Sequence, residues 1–159
     1  MEEILKLKDC LLRREYESAF AIVEELEAMG RQNKINNLES FLVILLIHLI
    51  KIQVEQRVTR SWRNSISNSL LAIQKRNKLS KSHYIKADEW NEHILNCQFE
   101  AILAAAKKIF EGIDYQELER LVNLEQLIAI SKELLTITYS KSQREIIELV
   151  DSRFPVKYC

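Results

Sequence analysis

Two glycines and one proline among 159 residues constrain this chain more than any other feature of its sequence. Both residue types end helices and form tight turns. Gly30 and Gly112 are isolated, each follows a helical pattern, and Pro155 lies near the end. This scarcity excludes a β-rich fold with many tight hairpins and the glycine-rich loops that hold nucleotide phosphates. The sequence therefore predicts an all-α chain.

Hydrophobic periodicity predicts five to seven helices. The segments with helical spacing are residues 2–13, 15–29, 34–57, 61–76, 88–110, 114–138 and 141–152. We expect Gly30 to end the second segment, Asp88 to cap the fifth, Asn123 to mark a break in the sixth, and Ser140 or Ser142 to cap the last. Residues 77–87 lose the period and are expected to form a loop.

The segment from about 34 to 57 is the expected centre of the fold. Its middle, FLVILLIHLI, is apolar on all sides, which is typical of a helix that runs through a core. No linker, repeat or low-complexity tract interrupts the chain. We therefore expect a single compact bundle around this helix, and one domain over residues 1–159.

Cysteine usage and the N-terminus indicate the compartment. Cys10, Cys97 and Cys159 are odd in number and far apart, which favours a reduced, intracellular protein. The start, MEEILKLKD, is acidic where a secretory signal would be basic. The longest apolar stretch, 41–50, is about half a membrane span. We expect a cytoplasmic protein with no membrane association, and no motif indicates a cofactor.

Charge is balanced overall but unevenly distributed. Residues 1–30 carry 4 basic and 8 acidic side chains, residues 31–90 carry 11 and 4, and residues 91–159 carry 8 and 11. The middle region is therefore basic, and between 56 and 87 it contains no acid. A helix with exposed basic residues followed by a basic loop could track nucleic-acid phosphates, with Tyr84 and Trp90 available to stack on bases. The candidate basic surface consists of Arg60, Lys75, Lys78, Lys81 and Lys86.

Several stretches resemble one bacterial family. They are EELEAM (24–29), LLIHLIK (45–51), RVTRSWRNSI (57–66), AIQKRNK (72–78), FEG (110–112) and ELERLVN (117–123). In this order they resemble the domain-of-unknown-function family numbered twenty-nine, which is abundant in cyanobacteria. The resemblance implies a small all-α fold. It does not imply any particular activity, because the family has no assigned activity. The sequence departs from the family at Ile52, where many members have tryptophan, and at the ending FPVKYC, which only loosely resembles the ending of longer members.

The resemblance also singles out a set of polar positions. They map onto Glu24, Glu25, His48, Lys51, Arg57, Arg60, Ser61 and Trp62. A histidine inside an apolar helix must find hydrogen-bond partners, or its burial is costly. The set is therefore either a structural network that fixes helix register or an anion or ligand pocket. Structural networks are the commoner of the two.

Two further patterns have weaker support. Arg76 followed by His83 resembles the paired residues of HEPN-type helical ribonucleases, in which they would activate a ribose hydroxyl and stabilise phosphate charge. Glu89, His93 and Cys97 share one helix face, but no second cluster completes four ligands, so we expect no metal site.

No serine or cysteine lies in a recognisable nucleophile motif. The leading hypothesis is therefore a non-enzymatic protein-interaction or regulatory module that binds a protein partner or a second copy of itself. The alternatives are nucleic-acid binding through the basic 57–86 surface and a HEPN-like ribonuclease.

Overall fold

Helices make up most of the computed structural model, which describes residues 2–158. They are α1 (Glu2–Leu12), α2 (Tyr16–Glu55), α3 (Arg60–Arg76), α4 (Trp90–Ala106), α5 (Tyr115–Leu121), α6 (Leu124–Ser140) and α7 (Gln143–Arg153). A small antiparallel hairpin joins β1 (Lys78–Leu79) to β2 (Ser82–His83), and a 3-10 turn spans Ile109–Glu111. The all-α prediction is confirmed.

Helix α2 is longer than the sequence suggested. The expected end at Gly30 is wrong, since the helix runs unbroken for 40 residues. Glycine in a helix interior costs only about 1 kcal/mol relative to alanine, and the residues around it, Glu27 to Gln32, include good helix formers. The end of the helix comes instead at Gln56, which has a φ of 57° and reverses the chain in the left-handed conformation.

The second half of α2 forms the core of the region that follows residue 36. The helix is not enclosed on all sides as its all-round apolar pattern suggested, since Ile44 is 39% exposed. Six other apolar side chains are 0–3% exposed, and their spacings of three and four residues place them on one broad face of the helix. These residues are Leu38, Leu42, Leu45, Leu46, Leu49 and Ile50.

Local capping explains why three later helices start where they do. The side chain of Thr59 accepts a hydrogen bond from the Trp62 amide, and Asn123 does the same for Gln126. Ser142 and Glu145 form a reciprocal capping box at the start of α7. The expected break near Asn123 and the cap at Ser142 are confirmed.

Helix α4 differs from its predicted range of 88–110. Asp88 does not cap it, because the chain still turns there: the Glu89 amide donates to the Lys86 carbonyl, and α4 begins only at Trp90. The helix ends at Ala106, before a turn in which Phe110, Glu111 and Gly112 all have positive φ angles. Three consecutive residues in this conformation cannot continue a right-handed helix.

The chain divides into two compact units, residues 1–36 and 37–159. In the second unit, α3 packs against α6 and α7, and α4 packs against α5 and α6. An isolated bridge between Val58 and Lys157 ties the C-terminal segment to the start of α3. In the described part of the first unit, residues 2–36, Ala19 alone is buried. The single-domain expectation stays a prediction.

By length and composition alone, α2 could cross a membrane. Its most apolar 18-residue window has a mean hydropathy of 1.7, and 44% of that window is buried inside the protein. Core helices of soluble proteins meet the same criterion, and the buried leucines of α2 fit that explanation. The expected cytoplasmic location without a membrane stays a prediction.

Candidate functional site

Two cations lie close to the indole ring of Trp62. Lys51 Nζ lies 5.5 Å from the ring centroid, and the Arg57 guanidinium carbon lies 4.8 Å from it. Both distances permit cation–π attraction, which is worth about 0.5–2 kcal/mol. Trp62 occupies the first turn of α3, and the two cations come from the end of α2 and the short connection after it. The chain reversal at Gln56 brings these three side chains together.

Lys51 is the most unusual member of this group. Its side chain is only 7% exposed, although lysine is almost never buried without a partner. Among residues 2–158, no oxygen lies within hydrogen-bonding or ion-pair distance of its ammonium group. The ammonium nitrogen reaches solvent, because it is not among the buried polar atoms that lack a partner, so the buried part of Lys51 is its aliphatic stem. Burial lowers the pKa of Lys51, and the positive charges of Lys108 and Arg57 lower it further.

His48 lies one turn before Lys51 on α2. Its Nδ1 is 2.8 Å from the Ile44 carbonyl oxygen, so in the neutral ring Nδ1–H donates and Nε2 is left as an acceptor. Burial lowers the pKa of His48. The bond to Ile44 opposes this effect, and the charges of Lys51 and Lys108 add to it. His48 is therefore neutral at pH 7.

The charges around Trp62 do not cancel. Arg57 makes an ion pair with Glu55 at 3.3 Å, and Glu55 is the one carboxylate whose charge raises the pKa of Lys51. Lys51 and Lys108 have no ion pair among residues 2–158. We call Lys51, Glu55, Arg57 and Trp62 the Trp62 cluster. It carries two positive charges against one negative charge.

The remaining positions singled out by sequence do not contact the Trp62 cluster in the structure. Arg60 and Ser61 lie beside Trp62 in the chain, but both side chains are exposed. Glu24 and Glu25 are exposed residues of the first unit. Of the eight positions, the Trp62 cluster contains three, while His48 lies one turn away. Glu55 was missed, although its position four residues after Lys51 on the same helix is a spacing that the sequence contains.

The candidate basic surface is solvent-exposed along its length. No member has an ion pair with any residue of the described chain. Two other basic residues of the 57–86 block are engaged instead: Arg63 pairs with Asp151 at 3.2 Å, and Arg76 lies 4.9 Å from the Phe41 ring. Trp90 is 1% exposed, so the suggestion that it stacks on bases is wrong. The five exposed members are Arg60, Lys75, Lys78, Lys81 and Lys86.

The proposed ribonuclease residues have separate surroundings. The guanidinium of Arg76 contacts Phe41 and donates to the Asn37 side chain at 3.4 Å. His83 lies on β2, where its ring packs edge-on against Tyr139 at 4.7 Å. No described contact joins the two, and the ribonuclease interpretation stays a prediction.

A second polar cluster, which the sequence did not reveal, lies around Trp90. The indole Nε1–H donates to the Tyr139 hydroxyl at 2.6 Å, and that hydroxyl donates to the Ile85 carbonyl at 2.5 Å. Asn77 completes the set: its amide group donates to the Ile85 carbonyl at 2.9 Å, and its side-chain oxygen accepts from the Ile85 amide at 2.8 Å. We call these four residues the Trp90 cluster. It fastens the β1–β2 hairpin to α4 and α6.

The metal pattern on α4 has another explanation. His93 Nδ1 lies 2.9 Å from a Glu39 carboxylate oxygen, and Cys97 is buried close by. Burial raises the pKa of Cys97 to about 12, so the thiol stays protonated and is a poor metal ligand. Among residues 2–158, no group of three or more metal-ligating side chains occurs.

An apolar cavity of about 580 Å³ lies between the end of α2, the start of α6 and the C-terminal segment. Leu49, Ile130 and Phe154 line it, and Arg153 and Glu133 lie at its edge, 3.9 Å apart. The segment Pro155–Val156 forms one wall, so the FPVKYC ending shapes this cavity.

The family model for the domain of unknown function DUF29 matches residues 18–129. The chain belongs to this family. The match includes all four residues of the Trp62 cluster and three of the four in the Trp90 cluster, since Tyr139 lies beyond it. No curated protein and no solved structure matches the chain.

Proposed function

We propose that this DUF29 protein is a non-enzymatic interaction module that self-associates through the apolar surface of residues 2–36. The observation that carries the proposal is the exposure of large apolar side chains in that unit. Within α1, residues seven positions apart, such as Ile4 and Leu11, share one helix face, and an apolar face exposed to solvent is typical of an interaction site. Seven such side chains are 42–84% exposed, namely Ile4, Leu5, Leu11, Leu12, Tyr16, Phe20 and Met29.

The size of the first unit supports the same conclusion. It spans 36 residues, and within residues 2–36 only Ala19 is buried. Units shorter than about 40 residues usually need a disulfide, a metal or oligomerisation to be stable. Cys10 is a free thiol, and no metal-ligating group occurs in the described residues. A protein surface is therefore the best source of the missing apolar contacts.

The charge pattern of α1 favours a second copy as the occupant. Two i,i+4 ion pairs lie along it: Glu2 with Lys6 at 3.8 Å within the helix, and Asp9 with Arg13, the residue directly after it, at 3.3 Å. At 3.6 residues per turn, these pairs lie on the side of α1 away from Ile4 and Leu11. Two copies can therefore join their apolar faces around a twofold axis without bringing the acidic groups together.

The test is the oligomeric state. We expect the wild type to sediment as a dimer, and the double variant Leu12→Lys, Phe20→Lys to sediment as a monomer with unchanged helical circular dichroism. The matched control is Leu121→Lys, which places the same charge on an exposed leucine of the second unit and should remain dimeric. A wild type that is monomeric at every concentration would overturn self-association and leave a different protein as the occupant.

Nucleic-acid binding is the second candidate, and the exposure of the five unpaired basic side chains supports it. The triple variant Arg60→Glu, Lys75→Glu, Lys78→Glu should abolish binding to a duplex oligonucleotide. Each single replacement of one of these basic residues should reduce the slope of log binding constant against log salt concentration by about 1. The reason is that every phosphate neutralised by a basic side chain releases counterions. Binding that survives the triple variant would contradict this candidate.

A further inference from the structure

The apolar cavity between α2, α6 and the C-terminal segment has the size and the lining of a small-molecule site. Its volume of about 580 Å³ lies within the range of about 300–1,000 Å³ that is typical of such sites. Its lining includes the buried apolar side chains of Leu49, Leu127 and Phe154. A ligand that fills this cavity therefore needs an apolar body.

Most polar groups in the wall of the cavity are already paired within the protein. Val58 and Lys157 exchange two backbone hydrogen bonds, of 2.6 and 2.8 Å. The side-chain amide of Gln53 makes two hydrogen bonds with the backbone of Asn123, at 2.8 and 3.0 Å. The amide of Gln56 donates to the Gln53 carbonyl oxygen at 2.7 Å. These groups are engaged with one another, so the apolar side chains are left to contact a ligand.

Three charged side chains line the cavity, and all of them are exposed, as expected at its edge: Glu133, Arg153 and Lys157. Glu133 pairs with Arg153 at 3.9 Å, whereas Lys157 has no ion pair with residues 2–158. One positive charge is therefore left over. It matches a ligand with a single negative charge, such as a carboxylate, better than a phosphomonoester, which carries close to two.

We infer that this cavity binds a medium-chain carboxylate, whose alkyl chain packs against Leu49, Leu127 and Phe154 and whose head group lies near Lys157. The site lies wholly in the second unit, so the inference is independent of self-association through the first. Arg153 and Lys157 also lie beyond residues 18–129, so the family match does not cover the charged edge of this site.

The first test is a calorimetric titration of the full chain with hexanoate, octanoate and decanoate. Each added methylene group should tighten binding by up to about 4-fold, because that factor corresponds to the burial of one methylene group. Decanol has the same chain as decanoate but no charge, and it should bind more weakly. A purely apolar surface would show the opposite preference, because the alcohol is less costly to remove from water.

The charged edge can be tested by a variant that gains affinity. Glu133→Gln releases Arg153 from its ion pair, so it should tighten decanoate binding about 2- to 5-fold and leave decanol binding unchanged. A misfolded variant could not produce this gain. Lys157→Gln should weaken decanoate binding by a similar factor. Lys86→Gln makes the same change at an exposed lysine that does not line the cavity, and it should bind as the wild type does.

Filling the cavity tests where the alkyl chain lies. Ala129→Phe adds a ring at an exposed position of the lining and should weaken decanoate binding at least about 10-fold. The matched control is Ala87→Phe, at an exposed loop position outside the lining, and circular dichroism checks that both variants are folded. Binding to the apolar surface of the first unit would survive Ala129→Phe. That survival, decanol binding as tight as that of decanoate, or an unchanged decanoate affinity in Glu133→Gln would overturn the inference.

Discussion

Trp90 and Trp62 lie in the first turns of consecutive long helices, but their indole rings have opposite surroundings. Trp90 is 1% exposed, and its N–H and every polar neighbour have hydrogen-bond partners. Trp62 is half-buried, and its ring faces two cations, one of which has no anionic partner in the described chain. The Trp90 cluster is thus fully paired within the protein and stabilises the fold. In the Trp62 cluster, the ammonium group of Lys51 is left to solvent.

Replacing each tryptophan by alanine should give the largest difference between the clusters. Trp90→Ala removes a fully buried ring and should lower the free energy of unfolding by about 3–5 kcal/mol. Trp62→Ala should cost only about 1–2 kcal/mol, because part of its ring is already in water. Urea denaturation followed by circular dichroism measures both. Equal losses would mean that Trp62 is as much a core residue as Trp90.

The hydroxyl of Tyr139 provides a more selective test of the Trp90 cluster. Tyr139→Phe keeps the ring but leaves the buried indole N–H without an acceptor, which should cost about 1–3 kcal/mol. Tyr84→Phe, which changes a half-buried tyrosine with no described side-chain hydrogen bond, is the control and should be near neutral. Chemical denaturation again measures the difference. An unchanged unfolding midpoint for Tyr139→Phe would indicate that water replaces the lost acceptor.

The Trp62 cluster should respond in the opposite direction when its charge is removed. Lys51→Met keeps a buried apolar chain of similar length and removes a charge that partial burial and the charges of Lys108 and Arg57 disfavour, so it should raise the free energy of unfolding by about 1 kcal/mol. Lys75→Met, on the exposed side of α3, should leave stability unchanged. Destabilisation by Lys51→Met would show that the contact with Trp62 outweighs the cost of burial.

The smallest expected effect concerns pH. Because burial lowers the pKa of His48 below its ordinary value of about 6.5, the unfolded chain binds a proton there more readily than the folded protein does. The stability from His48 is therefore complete above pH 6.5 and is lost as the pH falls towards the lower folded pKa. We expect a loss of at most about 1 kcal/mol between pH 7 and 5, and a flatter profile in His48→Gln. Thermal unfolding at several pH values measures this loss of stability. Parallel stability profiles for the wild type and His48→Gln would contradict the expectation.

The parts of the fold that were predicted from sequence are those decided locally. The caps at Asn123 and Ser142 use side chains within three residues of the groups they satisfy, so a short segment contains the whole signal. The predicted helix end at Gly30 was wrong because a glycine ends a helix only where the chain also reverses direction. Helix α2 continues through Gly30 without a break. Local helix propensity was not enough to decide between a helix end and a continuous helix at this glycine.

The clusters were harder to predict because they join distant residues. Lys51, Arg57 and Trp62 could be singled out, since they lie close together in the chain and within a pattern that resembles a family. Tyr139 is 62 residues from Asn77, and no spacing rule connects them. Whether the polar positions form a structural network or a ligand pocket depends on how deeply their side chains are buried and on which of them lack hydrogen-bond partners. Neither property can be read from a sequence.

The continuity of α2 has a consequence for local unfolding. One helix passes from residues 16–36, where only Ala19 is buried, into residues 37–55, where the leucines are fully enclosed. Amide hydrogens in its first half should exchange through low-energy fraying, whereas those in its second half should exchange only when the whole second unit unfolds. Hydrogen exchange along this one helix would thus give two different free energies of opening, a low one for its first half and a high one for its second half. Self-association through the first unit would slow amide exchange in the first half of α2 and leave exchange in the second half unchanged.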